Sequence, residues 1–478
     1  MGYRHWYVVG AIILLAFGLR IWHITTLPPG LYPDEAMNGG NAIEALKLGH
    51  WKVFYPENNG REGLFMNIQA GFLKVIGQNE PWVLRFPSTI FGTLTVLGLF
   101  LLIYELGFVS KLPNRFWLAT FSAFFLATSV WHIIFSRIGF RAIMAPFFLT
   151  WGLYFALLAF RRRWLSAAAA SGLSFGLGFY SYIAFRIMPA LLLFYIPSFW
   201  KRKDFWHIAI ATFIVAVVAF LPLGYYFLTH PPDFLGRTGQ VSVFSSVSPT
   251  RDLAKNIGLT LLMFNWRGDG NWRHNIAGAP EVFWPVGILL IIGEVLAFKR
   301  RSLFDWMMLG WLVLAFLPTV LSNEGIPHAL RSILMLPAVM ALAGSGALLI
   351  YQWLSRRWRT AQVKLAIVIF FAVLLYQAWY GYFIQWGQNP NVPGAFAANY
   401  VSIARQINAL PQSEEKYVVV RAGGVMARGF PVAAETVMFI TDTFLPEDQK
   451  SKRVEYLLPA DYEARKSSLA GRHVFFID

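Results

Sequence analysis

Residues 7–24, YVVGAIILLAFGLRIWHI, followed after a short gap by residues 31–38, LYPDEAMN, decide how the rest of the chain is read. The first run is apolar over nearly the length, about 20 residues, that a helix needs to cross a bilayer. It is long for the apolar core of a signal peptide, and no small-residue cleavage site precedes Leu27-Pro28-Pro29. It therefore reads as a retained first span. The second run sets two acids, Asp34 and Glu35, just beyond that span, where the chain should emerge at the membrane surface.

Working outward, apolar runs of the same kind recur at about 86–106, 116–135, 142–160, 165–184, 187–200, 205–228, 282–298, 303–321, 332–354 and 365–383, eleven in all. Of the 478 residues, 56% are hydrophobic and 14% charged, whereas a soluble domain carries about 25% charged residues. The expected fold class is an α-helical polytopic membrane protein. The net charge of +16 does not point to nucleic acid, because the basic residues fall in short clusters between apolar spans and not in one stripe. The absence of cysteine excludes disulfides, thiolate metal sites and cysteine nucleophiles.

With the N-terminus inside, Lys111 and Arg115, Arg161 to Arg163, Lys201 to Lys203, Lys299 to Arg301, and Arg356, Arg357, Arg359 and Lys364 all fall on one side. Short basic loops stay on the cytoplasmic face, so this alternation predicts a multi-pass protein of the plasma (inner) membrane with its C-terminus extracytoplasmic. The organisation expected is a transmembrane module over 1–383 and an extracytoplasmic domain over 384–478. The module carries outer loops at 25–85 and 229–281. In 25–85, Ala36 to Leu48 and Leu64 to Ile76 mix apolar and polar residues at helical spacing, which predicts helices lying along the membrane surface. The tail reads as α/β: a helix over 397–410, strands at 417–420, 454–458 and 473–477, and a polar helix over 461–469.

At the outer surface a carboxylate such as Asp34 can take a proton from an acceptor hydroxyl as that oxygen attacks a sugar carbon. Alone, the dipeptide reads more readily as an N-cap and first-turn acid stabilised by the helix dipole. The outward side also carries Arg61, Arg85, Arg137, Arg141, Arg186, His328 and Arg331. Guanidinium groups match phosphate oxygens, so the set suits a phosphate or pyrophosphate ligand, although each arginine singly could snorkel to lipid headgroups. Tyr32, Tyr182, Asp269, Arg273 and His274 add aromatic and polar groups suited to a saccharide or to an interfacial belt. His274 and His328 could ligate a metal, but without a histidine at i+4 or a cysteine a hydrogen-bonding role is expected.

These pieces together resemble the GT-C glycosyltransferases, specifically family 39 in the broad sense, which includes protein O-mannosyltransferases and the lipid A aminoarabinose transferase. The residues carrying the resemblance are Tyr32-Pro33-Asp34-Glu35 after the first span, Trp82-Val83-Leu84-Arg85-Phe86-Pro87 entering the second, and the stretch Phe135 to Arg141. The resemblance implies transfer of a hexosyl or pentosyl group from a polyprenyl-phosphate donor to a protein, lipid or glycan acceptor, with inversion. Asp34 matches the family's loop aspartate, the base, and Glu35 its acidic neighbour. Arg61 falls where the aminoarabinose branch places a phosphate-contacting lysine. The chain departs from several members in carrying Arg141 and neutral residues where they have a second aspartate. Nothing in the sequence requires a cofactor, though Asp34 and Glu35 could hold a divalent metal. Two rival readings are a transporter or flippase of lipid-linked sugars and a non-catalytic glycolipid-binding relative. The first should show a polar path through the bilayer and a repeat, and neither is found.

Overall fold

A computed structural model describes residues 2–478; the side chains of Arg4, Leu235, Arg237 and Thr238 lie outside the described residues. The chain divides into two compact units, one formed by Met1–Trp22, Ser88–Arg137 and Arg141–Trp386, the other by His23–Pro87, Ile138–Phe140 and Gly387–Asp478.

The first unit is helical, and a helix occupies each of the eleven stretches expected to span the membrane. Among the described residues, six helices are long and apolar enough to cross a bilayer by length and composition, which makes this a multi-pass membrane protein. Burial separates their roles. The most apolar window of Ile333–Ser355 is 89% buried, whereas Phe205–Thr229 and Thr360–Trp386 are 17% buried. Their exposed Phe213, Val218, Leu221, Val368 and Ile369 are side chains suited to lipid. Small residues set the closest approaches. A Cβ on Gly293 would strike the Leu342 carbonyl and one on Gly346 the Leu289 carbonyl, so helices Trp284–Arg300 and Leu336–Ser355 cross backbone to backbone.

The span expected over 116–135 is broken in two. Helix Arg115–Thr128 stops, Ser129 adopts an extended conformation, and Val130–Phe135 continues, with the Ser129 hydroxyl accepting the His132 N–H. Carbonyls freed at such a break need donors, because water is scarce there. Arg20, fully buried on α1 (Tyr3–Ile21), donates to the carbonyl oxygens of Ala127 (3.1 Å) and Leu126 (3.3 Å) and contacts His132 Nδ1 at 2.7 Å.

The second unit combines the first outer loop with the tail. It holds α2 (Pro33–Leu48), the short antiparallel pair β1 (Phe54–Tyr55) and β2 (Arg61–Glu62), α3 (Leu64–Ile76) and the start of α4 (Pro81–Val109). In the tail, β3 (Lys416–Val420), β6 (Val454–Leu457) and β7 (His473–Ile477) form a parallel sheet of order β6-β3-β7. A hairpin of β4 (Met426–Ala427) and β5 (Phe430–Pro431) and the helix Glu435–Ile440 intervene. The helices at 398–409 and 459–465 and all three sheet strands lie where the sequence places them, the 461–469 helix ending earlier.

One core runs through this unit. Leu31, Ala36, Ile43 and Leu84 pack in the same cluster as Val418, Val437, Phe439 and Ile477. Residues 35 to 45 of α2, the helix expected along the membrane surface, are buried in protein within this unit. The reason is steric. Gly39 faces the Phe439 ring and Gly40 the Phe444 ring so closely that a Cβ on either would collide with it.

Candidate active site

Pro33 occupies the first turn of α2 and presets the backbone there, placing Asp34 and Glu35 at the helix N-terminus. Their environments differ sharply. Glu35 is fully buried. Its Oε2 accepts from Arg85 Nε at 2.9 Å and from the Gly139 N–H at 2.6 Å, and its Oε1 accepts from Arg85 Nη2 at 3.0 Å and the Tyr32 N–H at 3.4 Å. Arg85, 1% exposed, also donates to the carbonyls of Pro28 (2.7 Å) and Gly30 (2.9 Å). This is a buried bidentate ion pair with its remaining valences satisfied by backbone. Arg85 was expected at a donor phosphate and Glu35 as an acid orienting the acceptor or binding metal. In the structure the two side chains pair with each other.

Asp34 is half-buried. Its Oδ1 accepts from Asn58 Nδ2 at 2.8 Å, and its Oδ2 has no partner among the described residues. Asn58 lies in the loop joining β1 to β2, 24 residues away. Asn58-Asn59-Gly60 has turn-forming residue types, but nothing local in the sequence announces that it folds onto α2. Arg61, on β2, is buried and donates to the side-chain oxygens of Asn38 and Asn41, both at 2.7 Å, so two α2 amides fix the guanidinium. Tyr32 sets its ring edge-on to Phe140, centroids 6.3 Å apart. Asp34, Glu35, Arg61, Arg85 and Tyr32 thus share one unit.

The other predicted residues belong to the helical unit. Arg137, fully buried, donates to the Tyr382 hydroxyl (2.8 Å) and to the carbonyls of Arg20 (2.7 Å) and Leu19 (3.2 Å). Arg186 donates to the Phe234 carbonyl at 2.8 Å and lies 4.2 Å over its ring. Arg331 is paired with Glu324 at 2.8 Å. Arg141 and Tyr182 are half-buried. Arg273 donates through Nε to Asn271 Oδ1 at 3.3 Å.

Asp269, His274 and His328 come together in this unit, with one ligand atom of each within 4.8 Å of the others. Asp269 Oδ2 contacts His274 Nδ1 at 2.9 Å, accepts the Ala329 N–H at 2.9 Å and lies 3.8 Å from His328 Nδ1. Burial, followed by the neighbouring His274, pulls the His328 imidazole down to about 3, and burial lowers His274 despite the Asp269 carboxylate. Asp269 is held below its usual range: burial pushes it up, but the His274 hydrogen bond, the two neighbouring imidazoles and the Ala329 N–H outweigh it. A carboxylate with two neutral imidazoles is a donor set suited to a tetrahedral divalent ion such as zinc. At the Asp34-Glu35 pair, by contrast, Arg85 already holds a positive charge against both Glu35 oxygens. Glu281, whose Oε1 accepts the Asp269 N–H at 2.8 Å, is pushed well above the usual carboxyl range by burial.

No protein-family model matches the sequence, and no curated protein matches it. Solved structures do. The Archaeoglobus fulgidus oligosaccharyltransferase, tethered with an acceptor peptide, superposes with a TM-score of 0.57 at 16% identity over 96% of this chain. The chain spans 64% of that protein's length. The Archaeoglobus fulgidus oligosaccharyltransferase AglB in complex with an inhibitory peptide and dolichol-phosphate gives 0.57 at 15% identity, over 98% of this chain and 71% of that one. ArnT from Cupriavidus metallidurans bound to undecaprenyl phosphate gives 0.55 at 14% identity, over 98% and 96%. The chain has the fold of these GT-C proteins.

Proposed function

We propose that the protein is a membrane glycosyltransferase that moves a sugar from a polyprenyl-phosphate donor to an acceptor hydroxyl at the extracytoplasmic face. The observation that carries this reading is the Asp34 carboxylate. It stands in the first turn of the helix after the first span, with one oxygen anchored by Asn58 and the other without a partner among the described residues. Proteins of the same fold carry dolichol-phosphate and undecaprenyl phosphate, which supports a lipid-phosphate donor.

In the reaction so proposed, the acceptor oxygen attacks the anomeric carbon as the bond from that carbon to the phosphate oxygen breaks. The acceptor proton passes to Asp34 Oδ2, and the electron pair leaves on the polyprenyl phosphate. Attack opposite the leaving group inverts the anomeric centre. The buried Glu35–Arg85 pair holds the start of α2 in one geometry, which is what a positioned base requires. Arg61, fixed by Asn38 and Asn41, is the cation of the same unit assigned to the charge developing on phosphate. Arg141, Arg186 and Arg331 are proposed anion contacts of the helical unit. A divalent ion held by Asp269, His274 and His328 would cross-link the 265–281 and 322–331 loops.

The test is incubation of the purified protein in lipid nanodiscs with an isotopically labelled polyprenyl-phosphate hexose or pentose and candidate acceptors. Free polyprenyl phosphate and a glycosylated acceptor with inverted anomer are expected by mass spectrometry. Passage of the intact donor across vesicles without covalent product would replace the enzyme by a flippase.

A further inference from the structure

The hairpin of β4 and β5 closes through Arg428 and Gly429, which both take positive φ, +51° and +90°. Two-residue hairpin turns of this form favour asparagine at the first position, and a long side chain there is disfavoured. Backbone strain of that kind is kept where the side chain has a task. The Arg428 side chain leaves the turn over the Phe444 ring, 4.3 Å from its centroid, and bridges two carboxylates of the first outer loop. Nη2 reaches Glu44 Oε2 on α2 at 2.5 Å, and Nε reaches Glu57 Oε1 at 3.3 Å.

Glu57 precedes Asn58, the residue that donates to Asp34. The loop it anchors is itself strained, with Asn58, Asn59 and Gly60 at φ +51°, +66° and +80°. Three consecutive left-handed residues do not hold one conformation by local preference. Arg428 supplies the missing restraint: it ties the loop to α2, the helix whose first turn carries Asp34. Glu44 is also paired with Lys52 at 2.9 Å, so without Arg428 it keeps a counter-charge, whereas no other cation pairs with Glu57 among the described residues.

We propose that Arg428 is a positioning residue for Asp34, acting through Glu57 and Asn58 to hold the loop that orients the carboxylate. The proposal rests on Asp34 being the base. It assigns to the tail a role in the reaction geometry beyond packing against α2.

Four variants test it: Arg428→Gln, Arg428→Lys, Asn58→Ala and Lys47→Gln. Lys47 also joins the tail to α2, through Asp442 and Asp448 at 2.9 Å each, but touches no residue of the loop. Arg428→Gln should lower kcat about tenfold while KM for the lipid donor changes by less than about twofold. Arg428→Lys should recover much of the loss, Lys47→Gln should leave kcat unchanged, and Arg428→Gln should have little further effect in an Asn58→Ala background. Hydrogen exchange should quicken over residues 53–62 in Arg428→Gln alone. Equal losses in Lys47→Gln and Arg428→Gln, full additivity with Asn58→Ala, or unchanged exchange over 53–62 would each overturn the proposal. Should the wild-type protein lack transferase turnover, the functional reading falls, and the exchange measurement then decides by itself whether Arg428 orders the loop.

Discussion

Arg85 donates two hydrogen bonds to Glu35 in a space closed to water, so each charge is held against its counter-charge. Breaking such a pair from one side leaves the other charge buried alone, which costs about 3–5 kcal/mol. Arg85→Ala is therefore expected to lower the thermal midpoint of the purified protein markedly, whereas Arg61→Ala should act on turnover more than on stability. Glu435 offers a pH-dependent counterpart. Burial, only partly offset by Arg428 and Arg61, pushes its carboxyl up to about 7. A carboxyl whose folded value is raised binds its proton more tightly when native. Its contribution is thus present below the unfolded value, near 4.5, and is lost as pH rises through about 7. Stability measured by denaturation between pH 5 and 8 should fall with rising pH, and Glu435→Gln should flatten that slope. At this scale the sequence made Asp34 and Glu35 legible as a pair of acids after the first span, and only the family resemblance told the base from its neighbour. Their roles separate through Asn58, Arg85 and Gly139, partners that only tertiary structure brings near.

At the scale of elements, strands β3, β6 and β7 were readable because β-branched and aromatic residues cluster in short runs bounded by turn formers. The burial of α2 was not. Its Gly39, Gly40, Asn38, Asn41, Ala36, Ala42 and Ala45 look like a weakly amphipathic surface helix, yet small residues are what let aromatic rings approach a helix backbone. Gly40→Val should place methyl groups in the Phe444 ring and destabilise the protein by about 1–3 kcal/mol. A Gly40→Val, Phe444→Ala pair, which returns the volume, should recover part of the loss. The break at Ser129 was likewise illegible, since Thr128-Ser129 interrupts an apolar run without proline or glycine. Arg20, on a different helix, meets the carbonyls it exposes.

At the scale of the whole molecule, the succession of apolar spans and basic loops reproduces a known membrane fold at 14–16% identity. That is expected if the architecture depends on where apolar length and charge fall more than on particular side chains. The orientation expected from the same loops is directly measurable, because the chain has no cysteine to confuse labelling. A cysteine at Ser451 should react with an impermeant maleimide on intact cells, and one at Lys203 only after the membrane is opened.

Turnover of Asp34→Asn against wild type, in protein shown to be folded and given the same polyprenyl-phosphate sugar, bears most directly on the central claim. Loss of the base should lower kcat by about 10²–10⁴-fold with donor binding retained. Turnover near the wild-type rate would mean that Asp34 does not take the acceptor's proton.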